Sequence, residues 1–200
     1  MTDHRIRISE GNRKMGMIPS VSLTAVKACG DGVPCAADCY VVRNMYGGPW
    51  RKSILASHEA NLAFLLADRD AFFSQLNSYL ERKRPDFFRY HVSGDWLDAD
   101  HLKRALELAR AHAAIKFLSF TKRHDLLPRP AWRVPRNFAL VASMWPGWAR
   151  APRGYRRAWI QDGTETRIPR TALQCPGNCE SCGACWGLTE LGRDVWFKKH

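Results

Sequence analysis

The sequence predicts an α/β fold, either a partial (β/α) barrel or an open curved parallel sheet, with a cysteine-rich segment at the carboxyl end. Three observations predict it. Between residues 87 and 161, short aromatic and β-branched runs alternate with amphipathic helical patterns, the order that builds parallel sheets. The first three of these runs each end in small polar residues, where parallel α/β folds place their ligands. Two hundred residues with 46% hydrophobic content supply one core, but a full eight-stranded barrel takes ~250 residues.

Taken in order, residues 5 to 24 read as an extended lead-in, because the Gly and Pro of M-G-M-I-P-S limit regular structure. A helix is expected over Lys52 to Ala67, with Ile54, Leu55, Leu62, Leu65 and Leu66 at helical spacing. A second is expected over Ala71 to Arg82, with Phe72, Phe73, Leu76, Tyr79 and Leu80 on one face and Asp68 or Asp70 as its cap. Phe87 to Val92 reads as a strand ended by Ser93-Gly94-Asp95, and Asp98 to Ala113 as a helix burying Leu102, Ala105, Leu106 and Ala109. Ile115 to Phe120 is the next strand, ended by Thr121-Lys122, followed by a short helical piece at His124 to Leu127 and the breakers Pro128, Pro130 and Pro135. Asn137 to Ala142 is a third strand, ended by Ser143, and Tyr155 to Gln161 a weaker fourth. A parallel arrangement brings Ser93, Gly94, Asp95, Thr121, Lys122 and Ser143 onto one rim. There is no internal repeat or low-complexity linker. The expected division is a body over residues 1–165 and a cysteine-rich extension over 166–200.

The net charge of +12 suits an anionic partner such as a nucleic acid, nucleotide or phosphate, although a solvated basic face gives the same number. The best candidate for such contact is W-P-G-W-A-R-A-P-R-G-Y-R-R-A-W, Trp145 to Trp159, where Arg offers phosphate pairing and the rings offer stacking. Its alternative is a solvated loop with buried rings. No apolar run reaches the ~18 residues of a membrane span and the first sixteen residues lack a signal core, so a cytoplasmic protein without membrane contact is expected.

In a reducing compartment, seven cysteines in two tight groups read as metal ligands rather than disulfides. The first group is C-G-D-G-V-P-C-A-A-D-C-Y, with Cys29, Cys35 and Cys39 on a Gly- and Pro-rich loop. A structural zinc ion wants four protein ligands, whereas a 4Fe-4S cluster on three thiolates leaves one iron open to an outside ligand. The second group, Cys175, Cys179, Cys182 and Cys185, puts four thiols in eleven residues with Pro176 beside the first, close to a reversed bacterial ferredoxin run. Four ligands close a site, as a second 4Fe-4S cluster or as zinc.

The combination of N-R-K-M-G, P-S-V-S-L-T ahead of the three-cysteine loop, R-Y-H-V-S-G-D-W, F-T-K and the cysteine run leading to V-W-F-K-K-H resembles the phage-encoded gene product eighty-eight family. That family resembles, in turn, a minimal radical S-adenosylmethionine enzyme. The resemblance implies that Cys29, Cys35 and Cys39 hold three irons of a 4Fe-4S cluster whose fourth iron chelates S-adenosylmethionine. It further implies that Ser93-Gly94-Asp95 takes the methionine ammonium, that Thr121, Lys122 and Ser143 meet its carboxylate and ribose, and that Tyr40 lies near the adenine. The spacing here is x5 and x3, where the superfamily usually has C-x3-C-x2-C. The implied activity is reductive cleavage to a 5'-deoxyadenosyl radical that modifies a nucleobase, nucleotide or peptide, with an external electron donor and with His91 and His124 as candidate proton carriers.

Two other readings stay open. One is a zinc protein that binds nucleic acid without catalysis, its three-thiol site completed by His58, His91 or Asp38. The other is an iron–sulfur electron carrier or sensor, which has no need of a polar rim at the strand ends.

Overall fold

The computed structural model describes residues 4–148 and 153–199. Strands β1 (Ile8–Ser9) and β2 (Ser20–Val21) precede helices α1 (Arg51–Ala67) and α2 (Arg69–Lys83). Then come β3 (Phe87–Tyr90), α3 (Ala99–Ala111), β4 (Lys116–Thr121), β5 (Phe138–Met144) and β6 (Arg157–Gln161). The cysteine-rich end adds β7 (Leu173–Gln174), the one-turn helices α4 (Cys179–Cys182) and α5 (Leu188–Leu191), and β8 (Val195–Lys198). The strands form one sheet in the order β1-β2-β3-β4-β5-β6-β8-β7, antiparallel only between β1 and β2. Of the two architectures expected, the open, mostly parallel sheet is the one formed. Among the described residues, no helix is long and apolar enough to cross a membrane.

Local chemistry fixes the element ends. Asp68 caps α2 by accepting from the Ala71 amide, and Asp98 caps α3 by accepting from the His101 amide, satisfying amides that have no partner within the helix. The backbone of His91 turns into the left-handed region (φ 58°), so β3 stops at Tyr90 and not at Val92. β5 runs past Ala142 to Met144, which puts Ser143 inside the strand. In α1, Phe64 and Leu65 are buried while Leu66 stands 65% exposed, so the helix turns a narrower apolar face inward than its leucines suggested.

The sheet is covered on both faces, and strand alternation assigns each side chain to one of them. Phe88, Tyr90, Phe117, Phe138 and Leu140 face the side carrying α1, α2 and α3, against Phe64, Phe72, Leu76, Leu102 and Ala105. Leu118, Ala139, Val141, Ala158 and Val195 face the other side, where Met15, Trp186 and Leu188 cover them. Burial on both faces explains why β5 reads F-A-L-V-A-S-M and is buried along its whole length. The cover is pinned: the Trp186 indole N–H donates to the Phe88 carbonyl at 3.2 Å, and its ring meets Phe87 edge-on at 5.2 Å. Asp194 accepts from the Trp159 indole at 2.9 Å and from the Arg157 amide at 3.0 Å. The segment after residue 166 therefore supplies two strands of the common sheet and the lid over one of its faces.

Candidate metal and cofactor site

The first cysteine loop leaves β2 and is stapled to the chain leaving β3. The Leu23 amide donates to the Ser93 carbonyl at 2.9 Å, the Ser93 hydroxyl donates to the Leu23 carbonyl at 2.8 Å, and the Asp95 amide donates to the Ala28 carbonyl at 3.1 Å. A Cβ on Gly94 (φ +79°) would lie 2.8 Å from the Leu23 Cβ, so only glycine permits this approach. Val26, a β-branched residue at φ 66°, then turns the chain so that the Cys29 amide reaches the Val26 carbonyl at 3.0 Å. Such backbone strain persists only where the surroundings enforce it, and it clusters at functional sites. Cys35 and Cys39 flank the single 3₁₀ turn Ala36–Asp38, and Tyr40 opens a π-helical stretch, Val41–Met45, a geometry common at functional sites. The Tyr40 hydroxyl donates to the Val92 carbonyl at 2.9 Å.

The strand-end rim forms as the parallel order predicts, but most of it faces inward. Asp95 is 4% exposed. Its Oδ1 accepts from the Thr121 hydroxyl at 2.6 Å and the Trp96 amide at 2.8 Å, and its Oδ2 accepts from the Lys122 amide at 2.7 Å. The carboxylate is thus a clasp joining the exits of β3 and β4. Desolvation raises its pKa, against the three hydrogen bonds that favour the anion. Ser93 and Thr121 are likewise buried, whereas the Lys122 side chain is partly exposed. The Ser143 carbonyl lies 3.0 Å from His124 Nε2, and the His124 ring meets that of Trp148 at a tilt, with centroids 4.8 Å apart.

A cleft of about 430 Å³ opens here, lined by Gly30 and Val33 of the cysteine loop, by Leu97, Lys122 and Arg123 of the rim, and by Trp148. Arg123 is fixed by the Trp96 and Leu97 carbonyls and by Asp125. Burial pushes the Cys29 thiol up to about 11; nearby Asp95 and Cys35 add to the shift, and Lys122 opposes it. Cys29, Cys35, Asp95 and Lys122 therefore lie within electrostatic reach of one another.

The four later thiols line a second cavity of about 180 Å³, with apolar walls from Leu173, Trp186 and Val195. The Cys179 amide donates to the Lys14 carbonyl at 2.8 Å and the Cys175 amide to the Trp196 carbonyl at 2.9 Å, so the run is held by the lead-in and by β8. Burial, with the neighbouring Cys175 and Cys179, pushes the Cys185 thiol up to about 12. Among the described residues, no group of three or more His, Cys, Asp or Glu could hold a single metal ion. Of the three residues that could supply a fourth ligand beside the first three thiols, His58 and Asp38 are bonded elsewhere, whereas His91 Nδ1 is buried without a hydrogen-bond partner. His58 Nδ1 lies 2.9 Å from the Tyr46 hydroxyl, Asp38 pairs with Arg43 and Lys199, and His91 is buried against Trp96 at 4.4 Å.

Of the basic aromatic stretch, residues 149–152 lie outside the described residues. Tyr155 and Trp159 are buried, so those two rings serve the core. One residue escaped the sequence reading: Arg89, a cation at an inward-facing position of β3. Its signal was present, since F-F-R-Y places a charge in a strand covered on both faces.

Fold and site together define a parallel α/β protein with a thiol-bearing loop and a polar cleft at the carboxyl ends of its strands, and a four-thiol cavity on one sheet face. The family model for gene product 88 matches residues 4–167, and the chain belongs to this phage family. The match ends before the four-thiol run. No curated protein and no solved structure matches the chain.

Proposed function

We propose that the chain is a radical S-adenosylmethionine-type iron–sulfur enzyme, with a 4Fe-4S cluster on Cys29, Cys35 and Cys39 and a second centre on Cys175, Cys179, Cys182 and Cys185. The observation that carries this reading is the shared cleft: the loop bearing the three thiols walls the same space as Lys122 and Trp148 at the strand ends.

The donor chemistry fits such a group. Three thiols come from one strained loop, and of the residues that would complete a zinc site His58 and Asp38 are bonded elsewhere, while His91 is buried against Trp96 with its Nδ1 unpartnered. Thiolates on a cluster bind separate irons, so they stand further apart than donors around one ion. The four later thiols line one shared cavity, as such a centre requires. When bound, the cluster and S-adenosylmethionine supply reductive cleavage of the sulfonium.

The chain's own residues do the rest. Lys122 offers a cation to the carboxylate of the ligand, its backbone fixed by Asp95. Asp95, Ser93 and Thr121 act from behind by holding loop and rim together, and Gly94 permits that contact. Trp148 offers a face for a planar ring, while Val33 and Leu97 limit water. Tyr40 follows Cys39 and bonds the Val92 carbonyl, and Ser143 lies within β5 with its carbonyl at His124.

The test is purification without oxygen, with iron, sulfide and zinc determined and dithionite and S-adenosylmethionine then added. About seven or eight irons per chain with release of 5'-deoxyadenosine is the expected result, and Cys35→Ala should abolish the release. Intact turnover in Cys35→Ala, or stoichiometric zinc without iron, overturns the reading. The net charge of +12 favours one second reading, a zinc protein that binds nucleic acid, and the same metal determination separates the two.

A further inference from the structure

Arg89 sits in β3, where alternation sends Phe88 and Tyr90 toward the helices and Arg89 toward the face covered by the cysteine-rich segment. Its Nη1 lies 3.5 Å from Met15 Sδ, and its guanidinium carbon stands 5.2 Å from the centre of the Phe120 ring. Its Nε is buried without a hydrogen-bond partner. Among the described residues no carboxylate pairs with it.

A guanidinium does not lose its proton in proteins. A cation partly withdrawn from water with no anion beside it carries a desolvation cost that a nearby negative charge offsets. Beside these contacts pack three thiols of the later run. Met15 belongs to the apolar cluster against which Phe120, Cys175, Cys179 and Cys185 are packed. The charge of Arg89 reaches Cys179 and Cys185, where it favours the thiolates against the effect of burial. Lys14, the other cation felt by Cys179, stands over the Phe197 ring at 5.2 Å.

We propose that Arg89 is the built-in counter-ion of the four-thiol cavity, a positioning residue whose unpaired charge is matched when Cys175, Cys179, Cys182 and Cys185 hold an anionic tetrathiolate centre. This rests on the reading of those four cysteines as ligands. β3 is paired in parallel with both β2 and β4, so the cation is held in place before any metal arrives. Four neutral thiols would leave it unmatched; four metal-bound thiolates supply the missing negative charge.

The experiment uses the full chain carrying Cys35→Ala, so that the later cysteines are the only complete set. After anaerobic loading, metal and sulfide per chain are determined, and release to a chelator is timed for Arg89 and for Arg89→Lys, Arg89→Met and Arg89→Gln. The neutral variants should release metal at least tenfold faster, and Arg89→Lys should stay within threefold of the parent. Equal release from all four, or equally fast release from Arg89→Lys and the neutral variants, overturns the role of Arg89 while leaving the centre intact. Parent chains that take up no metal overturn the ligand reading and the proposal together. If neither neutral variant folds even without metal, Arg89 belongs to the fold and not to the centre, which also overturns it.

Discussion

Asp95 shows how a residue that its position places at a cofactor rim also serves as a clasp of the fold. Its place after a strand and beside a glycine suggests a carboxylate offered to a cofactor, yet its oxygens accept three hydrogen bonds from Thr121, Trp96 and Lys122. Hydrogen bonds to a charged group contribute about 1.5–3 kcal/mol each, and they do not add fully. Asp95→Ala should therefore cost on the order of 3–5 kcal/mol in urea unfolding, with Asp95→Asn costing less. The histidines give a pH signature. Burial pushes His101 down to about 3 and His58 down to about 4, both below the ~6.5 of a free imidazole. As pH falls, the unfolded chain takes up these protons first. Their contribution is complete above pH ~6.5 and is lost as pH drops through the window down to about 3–4, at no more than ~1.4 kcal/mol per pH unit for each group. Urea unfolding at pH 7, 6, 5 and 4 should show this fall, and His101→Phe should flatten it by one proton; a flat profile in the parent contradicts the assignment.

At the scale of elements, what was legible in the sequence is what repeats along the chain. Helices α2 and α3 and strands β3 to β6 carry enough periodic residues to be read within a few positions; the α2 cap is narrowed to Asp68 or Asp70, and Asp98, read as the first residue of α3, is its cap. β2 and β7 are two residues each; a pair such as Ser20-Val21 has no period, and it is extended only because β3 lies beside it. The candidate site divides the same way. Cysteine spacing and strand-end polarity locate the loop and the rim, but whether Ser93 or Lys122 faces solvent depends on contacts from Leu23 and Asp95 that no local pattern encodes. Trp186 tests how the cysteine-rich cover is held. It is 5% exposed, bonded to the Phe88 carbonyl and packed on Phe87. Trp186→Ala should cost about 3–5 kcal/mol, and Trp186→Phe, which keeps the ring but loses the N–H, should recover much of it. The comparison is made by chemical denaturation, and a loss in Trp186→Ala below about 1 kcal/mol would mean that the cover is held elsewhere.

Across the whole molecule, the boundary of the family match and the boundary of the folding unit do not coincide. The match ends at residue 167, yet β8 continues the sheet beyond β6, and Trp186 and Leu188 cover Leu118, Ala139, Val141 and Ala158. A chain ended after residue 167 would lose that cover and leave β6 as an unpaired edge strand beside an exposed apolar face. Such an edge with such a face is a template for aggregation, and the net charge of +12 on the full chain acts through long-range repulsion that salt screens. The truncated chain should therefore bind an apolar-surface dye, lack a cooperative thermal transition and scatter light increasingly as salt is raised from low to physiological strength. The full chain should do none of these. A monomeric 1–167 fragment with a sharp transition would show that the helical face of the sheet is sufficient, and that the four-thiol segment is an attachment to a complete fold rather than one of its two walls.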